Sequence, residues 1–160
     1  MRILLFLIVL LTLNSCAIFQ PKSFNKEALD EKLVTLERDS ITLREVLANN
    51  KGKKQFVQIF ATYCPVSQDS FEDVLVLQKK NPSIKYVFLS VDHSYFDWKR
   101  GLKNVKVKGQ HYYIPKKGKG NLGKFLKLKT IPKFMIIDEK GEIKLFKSSS
   151  VSNKIKNKIK

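Results

Sequence analysis

Cys64 is the residue whose type and position in the sequence best suit it to covalent chemistry. A run of large apolar side chains over residues 55–60 predicts a buried strand before it, and the spacing over residues 65–80 predicts a helix after it. A cysteine at this kind of strand-to-helix junction lies at the positive end of the helix dipole, which favours the thiolate. Because thiolates attack disulfides, the position predicts thiol–disulfide exchange.

A two-cysteine redox site carries its second cysteine three residues after the first, and this chain has Ser67 there. The second thiol normally releases the substrate from the mixed disulfide, and a hydroxyl cannot. At most, the Ser67 hydroxyl could donate a hydrogen bond that stabilises the Cys64 thiolate. The sequence therefore predicts monothiol reactions: isomerisation with release by a second substrate thiol, exchange with small thiols, or reduction of a sulfenic acid.

The two histidines of the chain offer no convincing alternative to thiol chemistry. Cys64, His93 and His111 lack the spacing of a zinc site or of a Cys-His catalytic pair, so the sequence predicts neither a metal nor another cofactor. Asp92 follows a predicted strand, and either Asp92 or Ser94 is expected to cap the next helix.

The first residues have the features of an export signal. Arg2 precedes an apolar run over residues 3–13 that is too short to span a bilayer comfortably. The run ends in Leu13-Asn14-Ser15-Cys16, which resembles a bacterial lipobox and implies cleavage before Cys16 and attachment of lipid to it. The alternative is an ordinary signal peptide or a signal anchor.

The lipobox-like motif before Cys16 divides the chain into three predicted segments. A lipid on Cys16 would leave Cys64 as the free thiol and would anchor the protein in the bacterial cell envelope, with its domain on the periplasmic or other extracytoplasmic side. The polar and charged residues after Cys16 are typical of a tether. The segments are a lipoprotein signal peptide over residues 1–15, a lipid-anchored tether over 16–32, and a folded domain over 33–160.

The composition is strongly basic, with 31 Lys and Arg against 14 Asp and Glu and a formal net charge of +17. Such a charge is common in nucleic-acid-binding proteins, but the export signal and the spread of the lysines argue against a nucleic acid partner. Two clusters remain, at residues 116–129 and 154–160. They are either solvated lysine-rich surface or sites that attract anionic lipid headgroups or an acidic partner.

Hydrophobic periodicity predicts the elements that must position Cys64. Strands alternate with helices, and a hairpin and a terminal helix follow, which predicts a three-layer α/β domain with a mixed sheet. The sequence places Phe96 and Trp98 in the core, and the thin apolar face of the last helix either on the sheet or on a membrane surface. Predicted strands cover residues 33–36, 55–60, 84–91, 134–137 and 142–146, with a short edge segment at 105–114, and predicted helices cover 43–48, 65–80, 94–104, 122–128 and the last residues from 151.

Three motifs follow one another along the chain: Ile59-Phe60-Ala61-Thr62-Tyr63-Cys64-Pro65, Thr130-Ile131-Pro132, and Phe134-Met135-Ile136-Ile137-Asp138-Glu139-Lys140-Gly141-Glu142-Ile143. In type, order and spacing they resemble the TlpA-like branch of the thioredoxin fold. The resemblance covers roughly residues 33–160. It implies a thioredoxin-like fold with a mixed central sheet flanked by helices.

The resemblance also implies roles for single residues. Cys64 corresponds to the nucleophile, Pro132 to a cis-proline opposite it, and the backbone of Ile131 to the edge that pairs with an extended substrate segment. Tyr63 takes the place of the family's tryptophan beside the thiol. The site residues predicted in this way are Cys64 and Ser67 for catalysis, and Tyr63, Pro65, Ile131 and Pro132 for substrate binding.

Three functions are compatible with these residues. The first is a membrane-anchored monothiol protein that exchanges disulfides with cysteine-containing envelope proteins or small thiols through Cys64. The second is a redox-inactive thioredoxin fold that binds or scaffolds an envelope partner. The third is a basic lipoprotein whose charge is its functional feature. The chain is expected to be a monomer held at the membrane by the lipid on Cys16.

Overall fold

The structure is a computed structural model that describes residues 20–159 of the chain. In this part of the chain, strands form one mixed sheet and helices cover both of its faces. The strands are β1 (Lys32–Val34), β2 (Ser40–Thr42), β3 (Gln55–Phe60), β4 (Lys85–Ser90), β5 (Gln110–Tyr113), β6 (Lys133–Ile137) and β7 (Ile143–Ser148). The helices are α1 (Lys26–Leu29), α2 (Leu43–Asn49), α3 (Pro65–Lys80), α4 (Tyr95–Gly101), α5 (Asn121–Phe125) and α6 (Asn153–Ile159), and a 3-10 turn (Leu102–Asn104) follows α4.

The strands of the described residues lie in the order β2-β1-β5-β4-β3-β6-β7. β3, β4 and β5 run parallel, whereas β6 is antiparallel to β3 and β7 is antiparallel to β6. β3 lies between β4 and β6, and all of its residues are buried. A strand covered by helices on both faces carries apolar side chains on both faces, as Phe56, Val57, Ile59 and Phe60 do here. The predicted central strand and the mixed sheet are confirmed.

Alternation along β3 divides the core into two clusters, one on each face of the sheet. Val57 and Ile59 face a cluster that includes buried side chains of α1, α2 and α5. Phe56 and Phe60 face a second cluster, built with side chains of α3, α4 and α6. Trp98 is fully buried in this second cluster, as predicted. The three-layer α/β architecture follows from these two apolar faces.

From Phe24 onward the segment before β1 is packed into the domain, so the folded part begins before the predicted boundary at residue 33. Residues 16–19 of the predicted tether lie outside the described residues. Phe24 and Ala28 are buried in the core. The buried Glu31 carboxylate accepts a hydrogen bond of 2.7 Å from the backbone N–H of Asn121 at the start of α5. The polar composition pointed to a tether, but two apolar side chains four residues apart attach the segment to the core.

The predicted signal peptide over residues 1–15 and the predicted lipid on Cys16 lie outside the described residues. Between residues 20 and 159, no helix combines the length and the apolar character needed to cross a membrane. The anchor therefore stays a prediction from the sequence.

Two predicted placements are wrong. β5 is not an edge segment, because β1 pairs with it on the side away from β4, with Val34 opposite Tyr113. Phe96 is 63% exposed, because it lies two positions before Trp98 on α4 and so points to nearly the opposite side of that helix. The guanidinium of Arg38 lies 4.7 Å from the centre of the Phe96 ring instead.

The last helix packs on the sheet. Val151, Ile155 and Ile159 are buried in the same cluster as α3 and α4. The packing interpretation of this basic segment is therefore confirmed, and its apolar side chains are not available to insert into a membrane.

Candidate functional site

β3 and β6 bring Cys64 and Pro132 to the same edge of the sheet. Ile59 of β3 lies opposite Lys133 of β6, so the carboxyl end of β3 meets the amino end of β6. Cys64 follows β3 by four residues, and Pro132 immediately precedes β6. The peptide bond between Ile131 and Pro132 is cis, as the resemblance implied. Cys64 and Ile131 also pack against the same core cluster.

Cys64 is the residue that precedes the first turn of α3. It has extended backbone angles (φ −84°, ψ 115°), and Pro65 occupies the start of the helix, where no backbone N–H is needed. Cys64 is therefore the N-cap residue of α3. Its thiol is half-buried, forms no disulfide and makes no capping hydrogen bond. The sulfur therefore lies at the amino end of this long helix, which is the positive end of the helix dipole.

Ser67 lies one helical turn after Cys64 but points into the protein. Its side chain is fully buried, and its hydroxyl has no hydrogen-bond partner among the described residues. The predicted hydrogen bond from Ser67 to the Cys64 sulfur is therefore not formed. The Ser67 carbonyl, in contrast, accepts a hydrogen bond from the Ser70 hydroxyl at 2.7 Å.

The loop before Cys64 is held by the buried carboxylate of Asp92, which the sequence suggested only as a possible cap of the next helix. Asp92 is fully buried and accepts hydrogen bonds from the Thr62 backbone N–H at 3.0 and 3.1 Å and from the Thr62 hydroxyl at 2.7 Å. The cap of α4 is Ser94, whose hydroxyl accepts from the backbone N–H of Asp97. The Asp92–Thr62 contact joins residues thirty positions apart, so no local pattern could reveal it.

Tyr63 and His93 stand together at the surface beside the thiol. Their rings are stacked, with centroids 4.4 Å apart and planes 13° apart. Tyr63 is 52% exposed, so its ring borders the site without enclosing it. Between residues 20 and 159, no group of histidine, cysteine and carboxylate side chains is arranged to hold a metal ion.

A groove of about 430 Å³ extends from this stacked pair to the residues before Pro132. Its lining brings together two loops and the ends of two strands. We call it the lysine groove, and its lining residues are Tyr63, Val91, His93, Lys117, Lys119, Leu128, Lys129, Thr130 and Ile131. A larger groove of about 560 Å³ lies between α3 and α6 and does not include the residues around Cys64.

The sequence profile of the thioredoxin-like family matches residues 52–143, which is more than half of the chain. The chain belongs to the thioredoxin-like family. The matched region contains both Cys64 and Pro132. A comparison with curated proteins finds no significant match for this thioredoxin-like chain.

Solved structures that resemble this thioredoxin-like protein include three bacterial proteins described as thiol-disulfide or disulfide oxidoreductases. The thioredoxin domain of a thiol-disulfide oxidoreductase from Bacteroides vulgatus has a TM-score of 0.64 at 17% identity, covering 84% of this chain and 95% of that chain. A thiol-disulfide oxidoreductase from Bacteroides fragilis NCTC 9343 has a TM-score of 0.65 at 14% identity, covering 82% and 98%. A secreted disulfide oxidoreductase of Mycobacterium tuberculosis, homologous to E. coli DsbE, has a TM-score of 0.64 at 12% identity, covering 84% and 98%.

At these identities the likeness establishes the fold alone, which is the thioredoxin fold. This thioredoxin-like protein brings Cys64 and Pro132 together at one edge of the sheet, with Tyr63 beside them, and turns Ser67 away from the surface. The sequence did not indicate that Asp92 supports the loop before Cys64, or that Lys117, Lys119 and Lys129 line a groove beside it. The lysine cluster at residues 116–129 was the available signal for the groove.

Proposed function

We propose that this protein carries out monothiol thiol–disulfide exchange through Cys64 in the bacterial cell envelope, anchored by lipid on Cys16. The observation that carries the proposal is the free, half-buried thiol of Cys64 at the start of α3, at the same sheet edge as the cis peptide bond before Pro132. The thiol is accessible to a partner, and its position favours the reactive thiolate.

The exchange proceeds in two steps that balance. The Cys64 thiolate attacks one sulfur of a substrate disulfide, forming a mixed disulfide and releasing the other substrate sulfur as a thiolate. A second thiolate, from the same substrate or from a small thiol, then attacks the substrate sulfur of the mixed disulfide and frees Cys64. When both thiols belong to one substrate, the result is isomerisation without net oxidation or reduction. A substrate sulfenic acid would instead condense with the Cys64 thiol and release water.

The buried Ser67 excludes release of the substrate by a neighbouring group of this chain. Its hydroxyl cannot displace a thiol and does not contact the Cys64 sulfur. The mixed disulfide is therefore expected to persist until an external thiol arrives. A persistent intermediate makes the protein suited to trapping or isomerising partners, and it makes those partners easy to identify.

The residues around Cys64 provide a place for an extended substrate. In the part of the chain that the structure describes, the backbone N–H and C=O of Ile131 form no hydrogen bond, so they are free to pair with a partner strand. Pro132 beside them and the exposed Tyr63 ring complete the binding surface, with Pro65 at the start of α3. The proposed partners are cysteine-containing envelope proteins or small thiols.

Acid-quenched trapping in the native cell envelope tests this function. Cells are quenched in acid, free thiols are alkylated, and adducts of the protein are resolved on non-reducing gels and identified by mass spectrometry. We expect adducts that disappear on reduction and are lost in the Cys64→Ala variant. The matched control is Ser67→Ala, which keeps both Cys64 and the proposed anchor at Cys16 and should therefore keep the adducts.

The absence of Cys64-dependent adducts, together with slow alkylation of Cys64 in the folded protein, would contradict the proposal. That result would favour a redox-inactive binding protein, for which changes around Tyr63 and Ile131 would matter more than the loss of the thiol.

A further inference from the structure

The lysine groove is a concentration of positive charge next to the proposed nucleophile. Lys117, Lys119 and Lys129 all line it, their side chains are exposed, and none forms an ion pair within the described residues. No carboxylate lines the groove. Two acidic side chains border the lining residues: Asp92, between Val91 and His93 in the chain, and Glu31, which lies against Gly120 next to Lys119. Both are buried and already bonded to backbone N–H groups. The positive charge of the groove is therefore not neutralised from within the described part of the chain.

The loop that carries Lys117 and Lys119 is held in place by close backbone packing. Gly118 has a φ of +76°, and its carbonyl oxygen lies so near Gly123 of α5 that a Cβ there would come within 1.5 Å of it. Only glycine permits this approach. The backbone N–H of Lys117 also donates to the carbonyl of Ile114 at 2.9 Å. The two lysines are thus presented from a tight turn anchored on α5.

The positive field extends beyond the groove along the neighbouring hairpin. The pKa of Lys147 is lowered, first by burial of its side chain and then by repulsion from Lys127, Lys133 and Lys129. Lys129 also lines the groove. The lysines at this end of the sheet are therefore close enough for their positive charges to repel one another. A polyanionic ligand would relieve that repulsion.

We propose that the lysine groove binds an acidic polypeptide segment of the disulfide partner, so that Cys64 exchanges preferentially with cysteines flanked by Asp or Glu. The inference rests on the proposed function and adds its substrate class. A polypeptide is favoured over a lipid headgroup because Thr130 and Ile131, whose backbone groups form no hydrogen bond within residues 20–159, line the same groove. An extended segment paired there would direct its neighbouring carboxylates toward Lys129 and the loop.

Three peptide disulfides test this preference on the full-length lipoprotein in non-ionic detergent. Each peptide contains one cysteine flanked by Asp, by Ser or by Lys, and is supplied as its symmetrical disulfide. Attack by the Cys64 thiolate forms the mixed disulfide and releases one peptide thiolate, which is quantified over time. We expect the acidic peptide to react about tenfold faster than the neutral one at low salt and the basic peptide to react slowest, with the differences shrinking as salt is added.

A pair of triple variants separates the groove from the general charge of the protein. Lys117→Gln, Lys119→Gln and Lys129→Gln together are expected to abolish the preference for the acidic peptide, and the corresponding Arg variant is expected to retain it. The matched control is Lys154→Gln, Lys156→Gln and Lys158→Gln on α6, which removes the same charge from exposed positions away from the groove and should retain the preference.

Each result decides the inference. Equal rates for the three peptides, or equal losses in the two triple Gln variants, would overturn it while leaving exchange through Cys64 intact. Reaction with none of the peptides would overturn the proposed function itself. If the groove Gln variant loses binding to phosphatidylglycerol-containing vesicles but keeps the peptide preference, the groove binds headgroups and the inference is wrong. If the groove Gln variant fails to fold, equal rates for the three peptides with the wild-type protein would still overturn the inference.

Discussion

Asp92, two residues after the end of β4, accepts hydrogen bonds from both the backbone N–H and the hydroxyl of Thr62, two residues before Cys64. Asp92 also accepts from the hydroxyl of Ser90. All of these groups are buried, so water cannot replace a lost partner. The carboxylate thereby ties the loop that carries the thiol to the central sheet.

Asp92→Asn is expected to lower the free energy of unfolding by about 1–3 kcal/mol. The NH2 group of the amide cannot accept a hydrogen bond, so at least one of the donors from Thr62 and Ser90 would lose its acceptor. Denaturant titration measures this change. Thr62→Ser, which keeps the hydroxyl, is the milder control. An Asp92→Asn protein with unchanged stability and an unchanged alkylation rate at Cys64 would show that the contact does not hold the loop.

A pair of substitutions at Ser67 tests its part in the chemistry. Ser67→Cys would supply a second thiol next to Cys64 and is expected to shorten the lifetime of the mixed disulfide, because the substrate can then be released within the chain. Ser67→Ala should leave that lifetime unchanged, since the hydroxyl does not contact the sulfur.

The Ala variant is also expected to match or exceed the wild-type stability, by up to about 1 kcal/mol, since it removes a buried hydroxyl without a partner. The mixed disulfide is followed by mass spectrometry and stability by denaturant titration. A shorter mixed-disulfide lifetime in Ser67→Ala would show that the hydroxyl does act on the intermediate.

The burial of His111 is expected to make the protein less stable in mild acid. Its ring stacks on Phe88, with centroids 4.7 Å apart, and burial lowers its pKa below the ordinary value, against a weaker opposing effect of the Val107 carbonyl. The unfolded chain therefore takes up a proton near pH 6.5 that the folded protein takes up only at lower pH. Stability is unaffected by this group above that pH and decreases as the pH falls below it.

The free energy of unfolding, measured between pH 7.5 and 5, tests this effect. The slope below pH 6.5 should be smaller in His111→Phe, which keeps an aromatic ring against Phe88 but cannot titrate. Identical slopes in the two proteins would show that His111 does not contribute, whatever the difference in their absolute stabilities.

The buried N-terminal segment makes Phe24 a structural residue. Phe24→Ala is expected to lower the free energy of unfolding by about 2–4 kcal/mol, because the ring is buried and lies 5.1 Å from the Phe125 ring. Ser23→Ala, at the adjacent exposed position, should change it by less than about 0.5 kcal/mol. Equal effects of the two substitutions would restore the tether interpretation for this segment.

The predicted lipid can be tested at Cys16 alone. Cys16→Ala is expected to move the protein from the membrane fraction to the soluble or secreted fraction, and mass spectrometry of the wild-type protein should show a diacylated or triacylated N-terminal cysteine. An unmodified Cys16 would contradict the lipobox interpretation. Continued membrane association of the Ala variant would point to a second attachment, such as the charge of the protein.

Local patterns in the sequence were sufficient to locate Cys64 at a strand-to-helix junction, to delimit β3 and α3, and to assign Trp98 to the core. Each of these features depends on the spacing of apolar residues within a window of about one element, which is where sequence periodicity carries its information. The motif around Pro132 carried the expectation of a cis peptide bond, which the structure contains.

The remaining features depend on which strands become neighbours. β5 became an interior strand only because β1 pairs with it, and Asp92 reaches Thr62 only because β4 lies next to β3. The lysine groove likewise needs the loop after β5, the residues before β6 and Tyr63 to meet at one edge of the sheet. Contacts between residues thirty or more positions apart follow from strand order and register, which short-range periodicity does not encode, so the tertiary structure alone determined them.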